Sequence, residues 1–190
     1  MEKLPVGVVV VNWNGGALLD SCLGALDAQG ASRVLVVDNG SGAEELRRIA
    51  AREGVFVLPL GANRGFAPAS NAGAVDARLK ALPYVAFVNN DAILEPGYLA
   101  ACVAALEGDP GLAAVQGVVL DAEGRLVDGL GIGWNRRREA VQLGRGASPP
   151  PADAPPFPIA GVSGTAAVYR RVSFERSSGF AGSFFAWYED

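Results

Sequence analysis

The strongest constraint on this chain is a set of apolar runs, each ending abruptly in a polar residue. They are "VGVVVVN" (6–12), "RVLVVDN" (33–39), "VFVLPL" (55–60) and "YVAFVNN" (84–90). Continuous apolar runs of this length suit strands buried on both faces of a parallel sheet. Segments of helical texture separate them: 16–29, 43–53, 68–82 with Pro68 near its first turn, and 96–108, again opened by proline. Strand–helix alternation with short connections predicts a βαβ sheet. Right-handed crossovers leave the carboxyl ends of its strands on one rim, where open α/β sheets bind ligands. The polar tips "NWNGG", "VDNGS", "GANRG" and "NND" all fall on that rim.

The texture changes after about residue 110. "LAAVQGVVLDAEGRLVDGLGIGW" reads as short strands broken by Gly and Asp, suited to hairpins, and 144–158 as an irregular Pro/Gly/Ala-rich loop. "IAGVSGTAAVYRR" returns to a strand, followed by a helical turn near Val172–Arg176. At 190 residues, half of them hydrophobic, the chain is predicted to fold as a single domain. A net charge of −4 without a long basic run argues against nucleic acid as partner, and Arg136–Arg138 read as a solvated face. The chain has no histidine, and Cys22 and Cys102 lack metal-ligand spacing, which excludes zinc and imidazole chemistry and leaves two buried thiols. Neither a signal peptide nor a membrane span is visible, so the expected location is the cytoplasm.

Each rim residue has a functional and a structural reading. Asp38 either accepts a hydrogen bond from a ligand, such as the N3–H of a pyrimidine, or shapes the "DNGS" turn. Trp13 either stacks on a base or belongs to the core. Arg64, before a helix amino terminus, either anchors a diphosphate or caps a loop. Asp91 either holds Mg²⁺ or Mn²⁺ against phosphate oxygens or caps the next helix. Glu189 and Asp190 follow Phe184, Phe185, Trp187 and Tyr188; a carboxylate among aromatics suits a general base, while a chain end suits a solvated pair.

Taken in order, "VVVVNWNG", "VLVVDNGS", "GANRGFAPASNAG", "FVNNDAILEPGYL", "SGTAAVYRRVSFE" and "FFAWYED" resemble the family 2 inverting glycosyltransferases of GT-A fold, in particular the rhamnosyltransferase-like branch. The resemblance implies a single Rossmann-like α/β domain, its mostly parallel sheet flanked by helices. Residues 1–110 would be the nucleotide-sugar-binding half and 111–190 the acceptor-side half. Val11, Asn12 and Trp13 match the first nucleotide-binding segment, Asp38 the base-binding aspartate and Arg64 a basic residue near the diphosphate. "NND" fills the slot of the DXD motif, which implies Asn90 near ribose or phosphates and Asp91 on the cation. Gly161, Ser163 and Gly164 would shape the sugar and acceptor pocket. Trp187 and Glu189 would line the substrate, with Asp190 as the base.

The implied activity is metal-assisted sugar transfer with inversion from a UDP- or dTDP-sugar to a saccharide or lipid-linked acceptor, as in polysaccharide biosynthesis. An acceptor of that kind would bring the protein to the inner face of the membrane. Asparagines replace further aspartates in the metal motif, implying modest cation affinity, and the acid usual after "GGF" is missing. Relatives continue past the base, so the expectation is a truncated chain that binds nucleotide sugar better than it turns over. The alternatives are a non-catalytic nucleotide-sugar-binding protein and a sugar nucleotidylyltransferase, although "VVNWNGG" lacks the charged loop of the latter.

Overall fold

The computed structural model describes residues 3–183. Its main sheet begins with the four expected strands: β1 (Leu4–Asn12), β2 (Ala31–Asp38), β3 (Val55–Pro59) and β4 (Tyr84–Asn89). Helices α1 (Ala17–Asp27), α2 (Ala43–Ala50), α3 (Phe66–Ala74) and α4 (Tyr98–Gly108) follow them in turn. Beyond α4 come β5 (Ala114–Gln116), a hairpin of β6 (Val119–Leu120) and β7 (Val127–Gly129), and a second of β8 (Ile132–Trp134) and β9 (Ala140–Gln142). Strand β10 (Ala166–Arg170) and helix α5 (Arg171–Arg176) complete the described chain. Residues 144–158 contain neither helix nor strand.

The main sheet runs β3-β2-β1-β4-β10-β5. The first four strands are parallel, and β10 is antiparallel to both neighbours. Strand β1 is buried on both faces, as its unbroken valines require. Val6, Val8 and Val10 pack with Leu19, Leu23, Leu99 and Leu106 of α1 and α4, while Val9 faces α3 and Phe87. Each such side chain taken from water contributes roughly 1.5–3 kcal/mol. On the second face Phe87, Tyr169, Phe174 and Phe180 form one aromatic cluster with ring centroids 4.8–6.0 Å apart. No helix among the described residues is long and apolar enough to cross a membrane.

Strand order matters for function. The chain steps outward from β1 through β2 to β3, then returns across the other face through α3 to pair β4 with β1. The direction of winding therefore reverses between β1 and β4, and such a reversal opens a crevice at the carboxyl ends of the strands.

Several helix limits depart from expectation: α2 stops at Ala50 rather than residue 53 and α3 starts at Phe66 rather than residue 68, and two further departures have visible causes. Helix α3 stops at Ala74 rather than near residue 82: the Arg78 N–H that would continue it is taken by Asp76 Oδ1 at 2.9 Å, and a distant cation holds the carbonyls at and beyond its end. Arg171, 7% exposed, donates to Leu82 O, to Ala74 O at 2.8 Å and to Leu79 O at 3.0 Å. Helix α4 starts at Tyr98 because Gly97 adopts φ 82°, which lies outside the helical region. The expected strand at 159–171 shortens to β10, and β5 joins the main sheet instead of a hairpin.

Arg171→Met would leave three inward-facing carbonyls without their charged donor. A loss of about 3 kcal/mol in urea denaturation is expected, while Arg171→Lys should recover only part because it lacks the planar fork.

Candidate functional site

Ladder register brings the polar tips level. Asn12 pairs with Asp38, Asp38 with Pro59, and Val11 with Asn89, so Asn90 stands beside Asn12 across the β1/β4 crevice. Asn12 is fully buried. Its side-chain Oδ1 accepts from Asn90 Nδ2 at 3.0 Å and from the Gly15 N–H at 3.2 Å. Its amide donates to Glu45 Oε1 at 3.2 Å and to Ser41 Oγ at 3.3 Å. One side chain thus ties the β1 tip to the β4 turn, to the loop after β2 and to α2. A Cβ on Gly15 would lie 2.4 Å from Asn12 Oδ1 and 2.6 Å from Asn90 Nδ2, so only glycine leaves this junction room.

Glu45 and Asn14 cap each other's helices. Glu45 Oε1 accepts from the Gly16 N–H ahead of α1, while Asn14 Oδ1 accepts from the Gly42 N–H ahead of α2. Arg48 holds the second Glu45 oxygen at 2.8 Å and also pairs with Asp20. Burial alone would raise the Glu45 carboxyl. Hydrogen bonds from Arg48, Gly16 and Asn12, with the Arg48 charge, outweigh it and hold the group below the ordinary carboxylate value.

Asp38 is 2% exposed. Its Oδ2 accepts from the Ser41 N–H at 3.2 Å, whereas its buried Oδ1 accepts no hydrogen bond among the described residues. Such an oxygen is costly unless a donor reaches it. Asn39 beside it links the next loop, donating to Asn63 Oδ1 and Gly65 O and accepting from the Arg64 N–H. Arg64 is exposed, with one guanidinium nitrogen on Leu60 O at 3.2 Å. Trp13 is not a core residue: it is 57% exposed on the loop after β1.

Asn90 and Asp91 form the corner of a turn closed by Ala92 N–H to Asn89 O at 3.1 Å. Asp91 is exposed and makes no hydrogen bond or ion pair among the described residues. Its charge is felt beneath, where burial, reinforced by Asp91, pushes the Cys22 thiol up to about 12. Cys22 is therefore a neutral donor to Asn89 O, and both cysteines are buried and free. No group of three or more metal-binding side chains occurs among the described residues. A lone hard carboxylate fits a cation that draws most of its oxygens from a bound diphosphate and water.

Across the β4–β10 junction, Asn89 N–H donates to Thr165 O at 2.9 Å, bringing the 161–165 loop near the rim. Gly161 bridges to Ile132, Ser163 Oγ lies 3.1 Å from Thr165 Oγ1, and the Ser163 N–H is held by Gln116 Oε1. Val11 lies in the β1 ladder, half-buried, and Gly164 is buried. Trp187, Glu189 and Asp190 lie outside the described residues. Sequence reasoning missed Glu45 and Arg48. The available signal was a glutamate three residues after Gly42, the position from which such a side chain caps a helix start.

A carboxylate held below its ordinary value stabilises the fold above that value, and the contribution is lost as pH falls through the folded one. Glu45→Gln should therefore cost about 1–2 kcal/mol near neutral pH. The gap to the parent should narrow as pH is lowered through and below the ordinary carboxylate range, as read by urea denaturation across that range.

Comparison with known proteins places this architecture. The glycosyl transferase family 2 model matches residues 7–177. No curated protein sequence matches the chain. Among solved structures, the mannosyltransferase PcManGT from Pyrobaculum calidifontis, in complex with GDP-Man and Mn²⁺, superposes with TM-score 0.63 at 20% identity, over 96% of this chain and 49% of that one. TarS 1–349 of S. aureus does so with TM-score 0.65 at 18% identity, over 98% and 52%. At these identities the likeness is one of fold, and the chain spans about half the length of both structures. With the family model covering most of its length, the chain belongs to glycosyl transferase family 2.

Proposed function

We propose that the chain takes a sugar from a UDP- or dTDP-sugar and passes it, with inversion and metal assistance, to a saccharide or lipid-linked acceptor hydroxyl. Residues 1–110 serve the donor and 111–190 the acceptor. The observation that carries this reading is Asp38: a buried carboxylate oxygen at the rim, lacking a donor among the described residues, paired with Asn12, which the exposed Trp13 follows in the chain. A pyrimidine N3–H entering from the rim would satisfy that oxygen while Trp13 covers the base. Asn12 and Val11 form the floor under the ribose. Asn90, whose Nδ2 is spent on Asn12, keeps its carbonyl for the ligand. Arg64 approaches the diphosphate.

A divalent cation, Mg²⁺ or Mn²⁺, would be held by Asp91 and the phosphates, and when bound it supplies positive charge against the departing diphosphate. Gly161, Ser163 and Gly164 would shape the sugar and acceptor pocket, and Trp187 and Glu189 would bind substrate. Asp190 removes the acceptor proton as the hydroxyl attacks the anomeric carbon.

The test is calorimetric titration with UDP, dTDP and GDP, with and without Mn²⁺, alongside a transfer assay. Asp38→Ala should weaken pyrimidine diphosphate binding about tenfold, the worth of one buried hydrogen bond to a charged group. Asp91→Ala should erase the Mn²⁺ enhancement and leave metal-free binding intact. Asp190→Ala should abolish transfer without affecting binding. Preference for GDP would contradict the donor assignment, and binding indifferent to Asp38 would overturn the site. Donor binding with no transfer to any acceptor would select the non-catalytic reading.

A further inference from the structure

The β8–β9 hairpin carries features that sugar transfer does not use. Its ladder ends at Trp134 opposite Ala140, a partner too small to cover an indole, and Trp134 is 67% exposed. Residues 135–139 close the hairpin and include Arg136, Arg137 and Arg138, all exposed. Asn135 makes this tip rigid. Its side chain accepts from the Arg137 N–H at 2.8 Å and the Glu139 N–H at 3.1 Å, and its amide donates to Glu139 Oε2 at 2.7 Å. Backbone bonds Arg138 N–H to Asn135 O and Asn135 N–H to Glu139 O complete the turn. The one acid at the tip is thereby engaged by an amide. The three guanidinium groups make no hydrogen bond or ion pair among the described residues.

We propose that this hairpin docks the protein on an anionic lipid bilayer, with Trp134 seated at the interface and Arg136–Arg138 against the headgroups. The chain as a whole carries −4, which a negative surface would repel. Charges are screened within about 8 Å at physiological salt, however, so a bilayer touching the tip experiences the three arginines, only partly offset by Glu139, rather than the distant acids. An indole without a cross-strand cover favours a bilayer over a soluble polyanion, because headgroup-level burial gives its apolar body a phase to enter and its N–H a partner. Arginine stems also lie along such a boundary while their heads meet phosphate.

The placement serves the proposed reaction. Ile132 N–H donates to Gly161 O at 2.8 Å, so the hairpin is tied directly to the 161–165 loop. A bilayer held at the tip would present lipid-linked acceptors on that side. Docking itself does not depend on sugar transfer, and it is measured without any nucleotide.

The experiment is co-sedimentation of the chain with vesicles of phosphatidylcholine containing phosphatidylglycerol, and with phosphatidylcholine alone. Binding to the anionic vesicles only, weakened by added salt, is expected. Replacing the three arginines together (Arg136→Gln, Arg137→Gln, Arg138→Asn) should weaken it about 100-fold, at roughly fivefold per charge near the surface. The asparagine suits the φ of 63° at Arg138. Lysine at all three positions should restore binding, which separates charge from folding defects. A vesicle-induced blue shift of tryptophan emission should vanish in Trp134→Phe. Failure to bind anionic vesicles, equal binding by the glutamine/asparagine variant, or capture of soluble polyphosphate in place of vesicles would overturn the proposal.

Discussion

Asn12 is a polar side chain at zero exposure on the middle strand of the sheet, and the rim depends on the bonds that reward its burial. A buried amide without partners would cost several kcal/mol; this one is matched on both its oxygen and its nitrogen. Because those partners come from the β4 turn, the α1 entry, the loop after β2 and helix α2, the same bonds that satisfy Asn12 fix the positions of four segments. Glu45 extends the junction to Arg48, and its carboxylate caps α1 while Asn14 caps α2. Preorganisation of this kind holds donors and acceptors in place before a ligand arrives.

The rest of the fold supports that junction from below. Two-sided burial of β1 pins the strand whose end carries Asn12, and reversal of the winding between β1 and β4 leaves the crevice open at that point. Asp38 and Asp91 then stand at the tips of the two strands that flank β1, with different characters: one sealed with an oxygen to spare, the other free on a turn. A nucleoside diphosphate needs both, a directional acceptor at its base and a hard charge site at its phosphates. A cavity lined by Asn71, Ala74, Phe174 and Glu175 lies beside the start of β4, away from this rim, and the Arg171 guanidinium there is already committed to backbone carbonyls.

The sheet was legible because unbroken valine runs admit few other readings, and its four leading strands fall where those runs predict. The helices between them were legible in existence but not in extent. Asp76, which takes the Arg78 N–H, is a local stop for α3, but nothing near residue 74 announces that Arg171, nearly a hundred positions later, will hold the carbonyls there. Pro96 suggested a helix start, but local geometry at Gly97 delays it. The rim positions were legible from strand ends alone, whereas their wiring was not. Asn12 looked like one more polar tip, and only the register that sets it beside Asn90 makes it a junction. Glu45 has the spacing of an ordinary capping residue, and the helix it caps belongs to another segment.

In the proposed function one nucleoside diphosphate, with its cation, occupies the crevice between the tips of β1, β2 and β4. Paramagnetic broadening by Mn²⁺ in amide NMR spectra, recorded with and without UDP, tests it most directly. Nucleotide-dependent loss of the Asn89–Ala92 signals is expected, with weaker effects at Asp38–Ser41 and Asn63–Gly65. Broadening that ignores the nucleotide, or that centres away from the β4 turn, would contradict it.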